Sequence, residues 1–372
     1  MEDIEENILK RYDVYKKLGK GSYSIVYKAF DKKEDKIVAL KKIYNAFNNK
    51  IDSKRTYREI TILKELYHPN IVKLNNVIKA KNDKDIYLVF NCLESDLHAA
   101  IRAEILDHIH IKFILYQLLQ AVYYLHSCDI IHRDIKPSNI LINKNSKISL
   151  CDFGYSRTLN IENLHCKNKH TLTEYISSMW YSSPEMILGS SKYSKENDIW
   201  AIGCVFAEMI GNIPIFPGTS TVNQLNRILE ITGKPSKEDI NSLNSDLALL
   251  FFESISNIKT ESLKTKYKNA SNQELELLNM LLQFNPLKRL TAEEALNHRY
   301  FNDMRNMFRD IDLYKVTKKI ELNMYEDKLY DIKEYINKIY DDIDYRKCLN
   351  KNKVLIDKGY IQVKKDQLIL KK

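Results

Sequence analysis

The stretch that most limits this chain of 372 residues is "IIHRDIKPSNILI", residues 130–142, followed closely by "ISLCDFG", residues 148–154. Apolar runs with strand character flank a crowd of polar side chains: His132, Arg133, Asp134, Lys136 and Asn139. Burying such groups without partners costs roughly 2–7 kcal/mol each, so a fold tolerates the cluster where a ligand or a reaction uses it. The residue types indicate which chemistry. Asp134 can accept a hydroxyl proton, Lys136 can hold a transferring phosphoryl group, and Asn139 can bind a metal ion. Asp152 offers a second oxygen ligand, and hard oxygen donors suit magnesium, which shares phosphate oxygens.

A second feature lies far upstream. "LGKGSYSIV" runs from Leu18 through Gly19, Lys20, Gly21, Ser22, Tyr23, Ser24 and Ile25 to Val26, between two alternating segments. Glycines at 19 and 21 let backbone N–H groups close over a polyphosphate without side-chain obstruction, although a plain hairpin turn accounts for such a motif equally well. Twenty residues beyond Gly21, "VALK" ends an apolar strand on Lys41, whose ammonium can neutralise phosphate charge. "SKRTYREITILKEL" has helical periodicity, with Ile60, Leu63 and Leu66 on one face. From about Ser95 the pattern changes to long helices such as "HIKFILYQLLQAVYYLHS" and "DIWAIGCVFAEMI".

Taken together, Gly19-x-Gly21, Lys41, "HRDIKPSN", "DFG" and "SPE" stand in the order and spacing of the eukaryotic protein kinases, and the chain resembles that family over residues 12–301, more loosely to 345. The resemblance implies an α+β, bilobal fold with a β-rich N-lobe at 12–93 and an α-helical C-lobe at 94–301. A polar insert occupies 233–270, with a segment at 1–11, an extension at 302–345 that packs back on the small lobe, and a basic tail at 346–372. It implies ATP and Mg²⁺ as cofactors. Lys41 would pair with Glu59 and bind the α and β phosphates. Asp134 would be the catalytic base, Lys136 the phosphate-holding lysine, and Asn139 and Asp152 the magnesium ligands. Val26, Ala39 and Leu141 would sandwich adenine, with the backbones of Asn91 and Leu93 reading its edge. Asp198 would anchor the catalytic loop, and Glu185 would pair with Arg289. Ser24 stands where the family has a third glycine, which either stiffens the turn or adds a phosphate-facing hydroxyl; a modest loss is expected.

Thr173-Glu174-Tyr175, between "DFG" and "SPE", resembles the activation lip of the mitogen-activated protein kinases, part of the CMGC group. "FPGTSTVNQLNRILEITGKP" and "LLQFNPLKRLTAEEALNHRYF" support that family, while "DLHAAIRAEIL" and "KRTYREI" are closest to its atypical branch, which phosphorylates its own lip. The positions that receive a phosphothreonine are arginine throughout: Arg55, Arg58, Arg133 and Arg157. The two that receive the phosphotyrosine are Met179 and Ser182. Three readings of Tyr175 stay open: its phosphorylation is weak or silent, Lys167, Lys169 or His170 holds it, or it packs unmodified. The same two positions shape the groove for the residue after the phosphoacceptor, so proline-directed specificity is in doubt.

Six cysteines, widely spaced and without a C-x-x-C pair, point to reduced thiols in the cytoplasm or nucleus. Cys151, just before "DFG", is either an alkylation site or a small buried hydrophobe. No apolar run nears the roughly 18 residues that span a bilayer, so membrane insertion is not expected, nor is a secretory signal visible in the acidic start. Of the net charge of +9, residues 346–372 hold +7. That tail reads as a solvated end, with contact to nucleic acid, an acidic membrane surface or an acidic partner as the alternative, and of these nucleic acid is not an expected partner. The expected function is a monomeric serine/threonine kinase acting on protein substrates, switched mainly at Thr173 by an upstream kinase or by itself. The alternative is a pseudokinase scaffold, favoured by the altered glycine loop and the incomplete lip receptor and opposed by the full catalytic set. A cyclin-dependent kinase is opposed by the Thr-Glu-Tyr lip and the extension.

Overall fold

The computed structural model describes residues 4–343, apart from 22, 160–178, 191–193, 244, 255–257, 308–328 and 342, together with 361–364 and 367–370. Thr173 and Tyr175 lie outside the described residues, as do Ser22 and the three residues weighed as partners of Tyr175. The chain forms two compact units. One draws on 1–64, 74–91 and 328–372, the other on 65–73 and 92–327.

Period-two alternation builds the smaller unit. Strands β1 (Tyr12–Lys20), β2 (Ser24–Asp31), β3 (Lys36–Ile43), β4 (Leu74–Lys79) and β5 (Ile86–Asn91) form an antiparallel sheet in the order β1-β2-β3-β5-β4. In β2 the residues Ile25, Tyr27 and Ala29 point into a core shared with Val38, Leu40, Tyr87 and Val89. The opening segment belongs to this core. Helix α1 (Glu6–Leu9) buries Ile8, Ile4 is buried just before it, and the Glu5 carboxylate accepts the Lys81 N–H at 2.8 Å. Arg11 then grips the buried Asp31 through two bonds of 2.9 and 2.7 Å.

Helix α2 (Lys50–Glu65) follows the expected periodicity, with Ile60 and Leu63 almost fully buried. A helix over 332–341 packs on the same unit through Tyr335, Ile339 and the following Ile343, all buried. Tyr335 lies 5.7 Å from the ring of Tyr57 on α2, and Lys50 bridges Asp331 at 2.6 Å.

The larger unit is mainly helical, built on His108–Ser127 and Lys195–Gly211, each with more than half its length buried. The polar stretch 233–270 folds into short helices Lys237–Ser242, Asp246–Ser254 and Leu263–Lys266, the first and last capped by Ser236 and Ser262. Leu243, Ala248, Phe252 and Tyr267 are its buried anchors, too sparse to give a clear period.

At "HPN", His68 is buried beside Tyr124, 5.2 Å between rings, and its Nδ1 accepts the Asn70 N–H. Burial pushes its pKa down to about 4. Because the folded value lies below the unfolded one, near 6.5, the contribution of His68 is complete above pH 6.5 and is lost as pH falls toward 4. The loss amounts to about 3 kcal/mol at most. Urea midpoints measured from pH 7 to 4.5 should therefore fall less steeply in His68→Asn, which keeps an acceptor for Asn70; parallel profiles would show that His68 is not responsible.

Candidate active site

The polar cluster sits on a loop that is shaped by one buried carboxylate. Asp198, in the helix Lys195–Gly211, accepts the backbone N–H groups of His132 and Arg133, each at 2.9 Å, and Nε2–H of His126 at 3.0 Å. Burial by itself would raise its pKa, but these donors hold the carboxyl below its ordinary range. The loop needs the clamp because Arg133 has φ +72°, a left-handed conformation that costs a side-chain-bearing residue about 1–2 kcal/mol.

His132 ties this loop to the next strand. Its Nδ1 accepts the Asp134 N–H, so the ring proton sits on Nε2 and is donated to the Cys151 carbonyl at 3.0 Å. Phe153, fully buried, meets the same ring edge-on with centroids 4.9 Å apart. No sequence reading assigned His132 a role; its position two residues before Asp134 was the available signal.

Around Asp134 the groups converge. Lys136 Nζ lies 3.0 and 2.9 Å from the two carboxylate oxygens. Asn139 Nδ2 donates to both the Asp134 carbonyl and Oδ2, each at 2.8 Å. That fixes the amide so that its Oδ1, a hard oxygen, takes no hydrogen bond from a described residue. The Asn139 carbonyl accepts the Cys151 N–H at 2.9 Å, which brings Asp152 next to the cluster. Asp152 itself is left-handed, φ +63°, a second strained residue at the same place. An amide oxygen and a carboxylate fit magnesium, which takes one or two protein oxygens and fills its other positions with water and phosphate.

In the smaller unit, Lys41 Nζ is 2.7 Å from Glu59 Oε1, with 14% and 5% of the two side chains exposed. Val26 stands opposite Lys41 in the β2–β3 ladder. A Cβ at Gly19 would meet nothing within 4 Å, and one at Gly21 would make only ordinary contact with Ser24, so the chain's own packing does not require these glycines. What they spare is room outside the chain.

Residues 12–301 match the protein kinase domain. The chain is 47% identical over 347 residues to extracellular signal-regulated kinase 2 of Dictyostelium discoideum, covering 93% of each. It is 45% identical over 349 residues to mitogen-activated protein kinase 15 of Xenopus laevis, and 38% identical over 349 residues to extracellular signal-regulated kinase 7 of Drosophila melanogaster. The matches take in 93% and 92% of this chain, but only 59% and 38% of those two longer relatives. This chain belongs to the mitogen-activated protein kinase family.

For a protein kinase of this family the remaining candidates fall as follows. Leu18, Gly19 and Lys20 end β1, Gly21 and Tyr23 are in the turn, and Ser24, Ile25 and Val26 begin β2. Ile25 faces the core, so any role it has belongs to its backbone. The Gly21 N–H donates to the Ser24 carbonyl at 2.8 Å, and Ser24 sits in ordinary strand geometry, which serine adopts without strain. Ala39 is buried in β3, Asn91 ends β5 with its side chain on Asn75, and Leu141 lies half-buried in Ile140–Ile142. Leu93 is partly exposed.

The four arginines divide between the units. Arg55 and Arg58 are on α2, Arg55 over the ring of Tyr23 at 5.2 Å and Arg58 buried. Arg157 pairs across from Ile131, near Arg133, and its guanidinium donates to the carbonyls of Tyr155 and Ser156.

The segment after the lip is firmly held. Trp180 Nε1–H donates to the Gly218 carbonyl, and the Tyr181 hydroxyl donates to Glu208 at 2.6 Å. Burial pushes the Glu208 carboxyl above its ordinary range despite that bond. Asn197 donates to both Ser183 and Glu185, and Arg289 meets both Glu185 oxygens at 2.6 and 2.7 Å. Met179 is 4% exposed, so this position buries an apolar side chain where an arginine would bring a charge.

Proposed function

We propose that this kinase moves the γ-phosphoryl group of ATP to serine and threonine hydroxyls of other proteins, with Asp134 as the base that orients and deprotonates the hydroxyl. The observation that carries the reading is the hydrogen-bonded set of Asp134, Lys136 and Asn139, joined through the Asn139 carbonyl to the residue before Asp152. Lys136, already on the Asp134 carboxylate, supplies positive charge to the group in transfer. Lys41, steadied by Glu59, offsets the α and β phosphates. The backbone of the glycine turn covers the phosphates, Val26, Ala39 and Leu141 bracket adenine, and the main chain at Asn91 and Leu93 reads its edge. Magnesium held by Asn139 and Asp152 would neutralise phosphate charge during transfer. A scaffold without catalysis has no use for this complete set, and the serine in the glycine turn does not outweigh it.

Phospho-Thr173 is proposed as the principal switch, read by Arg55, Arg58, Arg133 and Arg157, with Tyr175 weak or silent. Each charge-assisted contact is worth roughly 1.5–3 kcal/mol, so two absent arginines decide whether a phosphotyrosine can order the lip. Thr173→Ala should lower activity about tenfold or more, and Tyr175→Phe by less than about threefold. Equal collapse of both would refute the assignment. The family reading itself is tested by incubating the full chain with Mg-ATP and mapping phosphosites by mass spectrometry, beside Asp134→Ala. Label on Thr173 only in the unmutated chain supports catalysis and self-activation; identical label in both, or none in either, counts against them. The enzyme is further proposed to act as a monomer in the cytoplasm or nucleus, a reading supported by the wide spacing of its six cysteines.

A further inference from the structure

The glycine turn is tied to helix α2 by a contact between two side chains. Tyr23 stands between Gly21 and the start of β2, and its carbonyl accepts the Tyr44 N–H at 2.9 Å, just past the end of β3. Its side chain is not needed by the core, for 42% of the residue is exposed. The ring lies 5.2 Å from the Arg55 guanidinium. An exposed ring gains little from burial, so the packing of the sheet does not call for an aromatic residue at this place. The arginine gives it a use. A guanidinium over an aromatic face at an exposed site is worth about two- to fivefold in an equilibrium.

The position of Arg55 gives the contact its consequence. Arg55 and Glu59 are four residues apart on α2 and therefore share one face of the helix. Glu59 meets Lys41 at 2.7 Å, and Lys41 stands opposite Val26 in the β2–β3 ladder. These contacts close a circuit within the smaller unit. It runs from the turn through Tyr23 and Arg55 to α2, along one helical turn to Glu59, and back to the sheet through Lys41. The turn assigned to cover the phosphates and the lysine assigned to offset them are thus held by one helix face. A guanidinium offers its face to a ring and its edge to a phosphate, so Arg55 can serve Tyr23 and a phosphothreonine together.

We propose that Tyr23 is a positioning residue that, through Arg55, holds the glycine turn over the phosphates of ATP. The assignment rests on the kinase reading of the site.

The test titrates Mg-ADP and adenosine by calorimetry into the full chain and into Tyr23→Leu, Tyr23→Phe, Arg55→Leu and the double variant Tyr23→Leu/Arg55→Leu. Tyr23→Leu should weaken Mg-ADP about threefold and leave adenosine within about 1.5-fold, because adenosine has no phosphate for the turn to cover. Tyr23→Phe keeps the ring and should stay within about 1.5-fold for both ligands. In the Arg55→Leu background, adding Tyr23→Leu should change Mg-ADP affinity by less than about 1.5-fold. The leucine and phenylalanine variants of Tyr23 decide the matter alone if Arg55→Leu does not fold. Unchanged Mg-ADP affinity in Tyr23→Leu, equal losses for Mg-ADP and adenosine, a loss in Tyr23→Phe as large as in Tyr23→Leu, or full additivity in the double variant would each overturn the proposal. No binding of Mg-ADP to the unmutated chain would overturn the kinase reading and this assignment with it. Binding there without a response in Tyr23→Leu would remove this assignment alone.

Discussion

Asp134→Asn should reduce phosphoryl transfer about 10³-fold while leaving the fold intact. Positioned proton transfer contributes 10²–10⁴-fold, and an amide of the same shape cannot accept the hydroxyl proton. The neighbours sharpen the effect. Lys136 and Asn139 both donate to the carboxylate, so the substituted amide must turn its NH₂ toward one of two donors or away from both. The loop backbone is held by Asp198 and by His132, neither of which relies on the Asp134 side chain, so its stability should change by less than about 1 kcal/mol. Initial rates on a generic basic protein substrate, with ADP affinity and a urea midpoint as controls, provide the check. A rate within about tenfold of the unmutated enzyme would remove Asp134 from the role of base.

Arg289→Ala should be the most damaging single change to the larger unit, at about 3–5 kcal/mol. The guanidinium is completely buried, meets Glu185 through both nitrogens, donates to the carbonyls of Gln283, Glu196 and Phe284, and lies over the ring of Trp200 at 4.9 Å. Its removal leaves a buried carboxylate with Asn197 as its remaining side-chain donor among the described residues, and three carbonyls without the guanidinium. The size of the effect comes from that uncompensated charge. Arg289→Met with Glu185→Leu should therefore recover much of the stability lost in Arg289→Ala, although six hydrogen bonds are gone, the one from Asn197 to Glu185 included. Chemical denaturation of the three proteins measures it. A double variant as unstable as the single one would place the stabilisation in the hydrogen bonds to the carbonyls instead.

How much of this was readable in advance depended on distance along the chain. Lys41, Glu59 and the run from His132 to Asp152 announce themselves, because their chemistry is concentrated in short segments with apolar flanks. Ile60 and Leu63 follow from a single helical period. What stayed hidden are partnerships between distant residues. Nothing near Ile4 and Ile8 says that they complete the sheet of β1–β5, since four residues are too few to show a period. Lys42 looks like a solvated neighbour of Lys41, yet it forms a buried pair with Asp85 at 3.1 Å, beside the ring of Tyr44. Glu208 sits in an apolar helix with no visible reason until Tyr181 arrives from 27 residues upstream. Buried ions and short anchors of this kind are specified by a partner the local sequence does not contain.

The limits of the family match and the limits of the folding unit are different borders. A protein trimmed to residues 12–301 would keep every residue assigned here to the reaction. It would also lack Ile4, Ile8, Tyr335, Ile339 and Ile343, five apolar side chains with at most 8% exposure in the intact chain. The bared faces of the β-sheet and α2 would then seek cover from one another's copies, and such a preparation would report its own stickiness as a property of the enzyme.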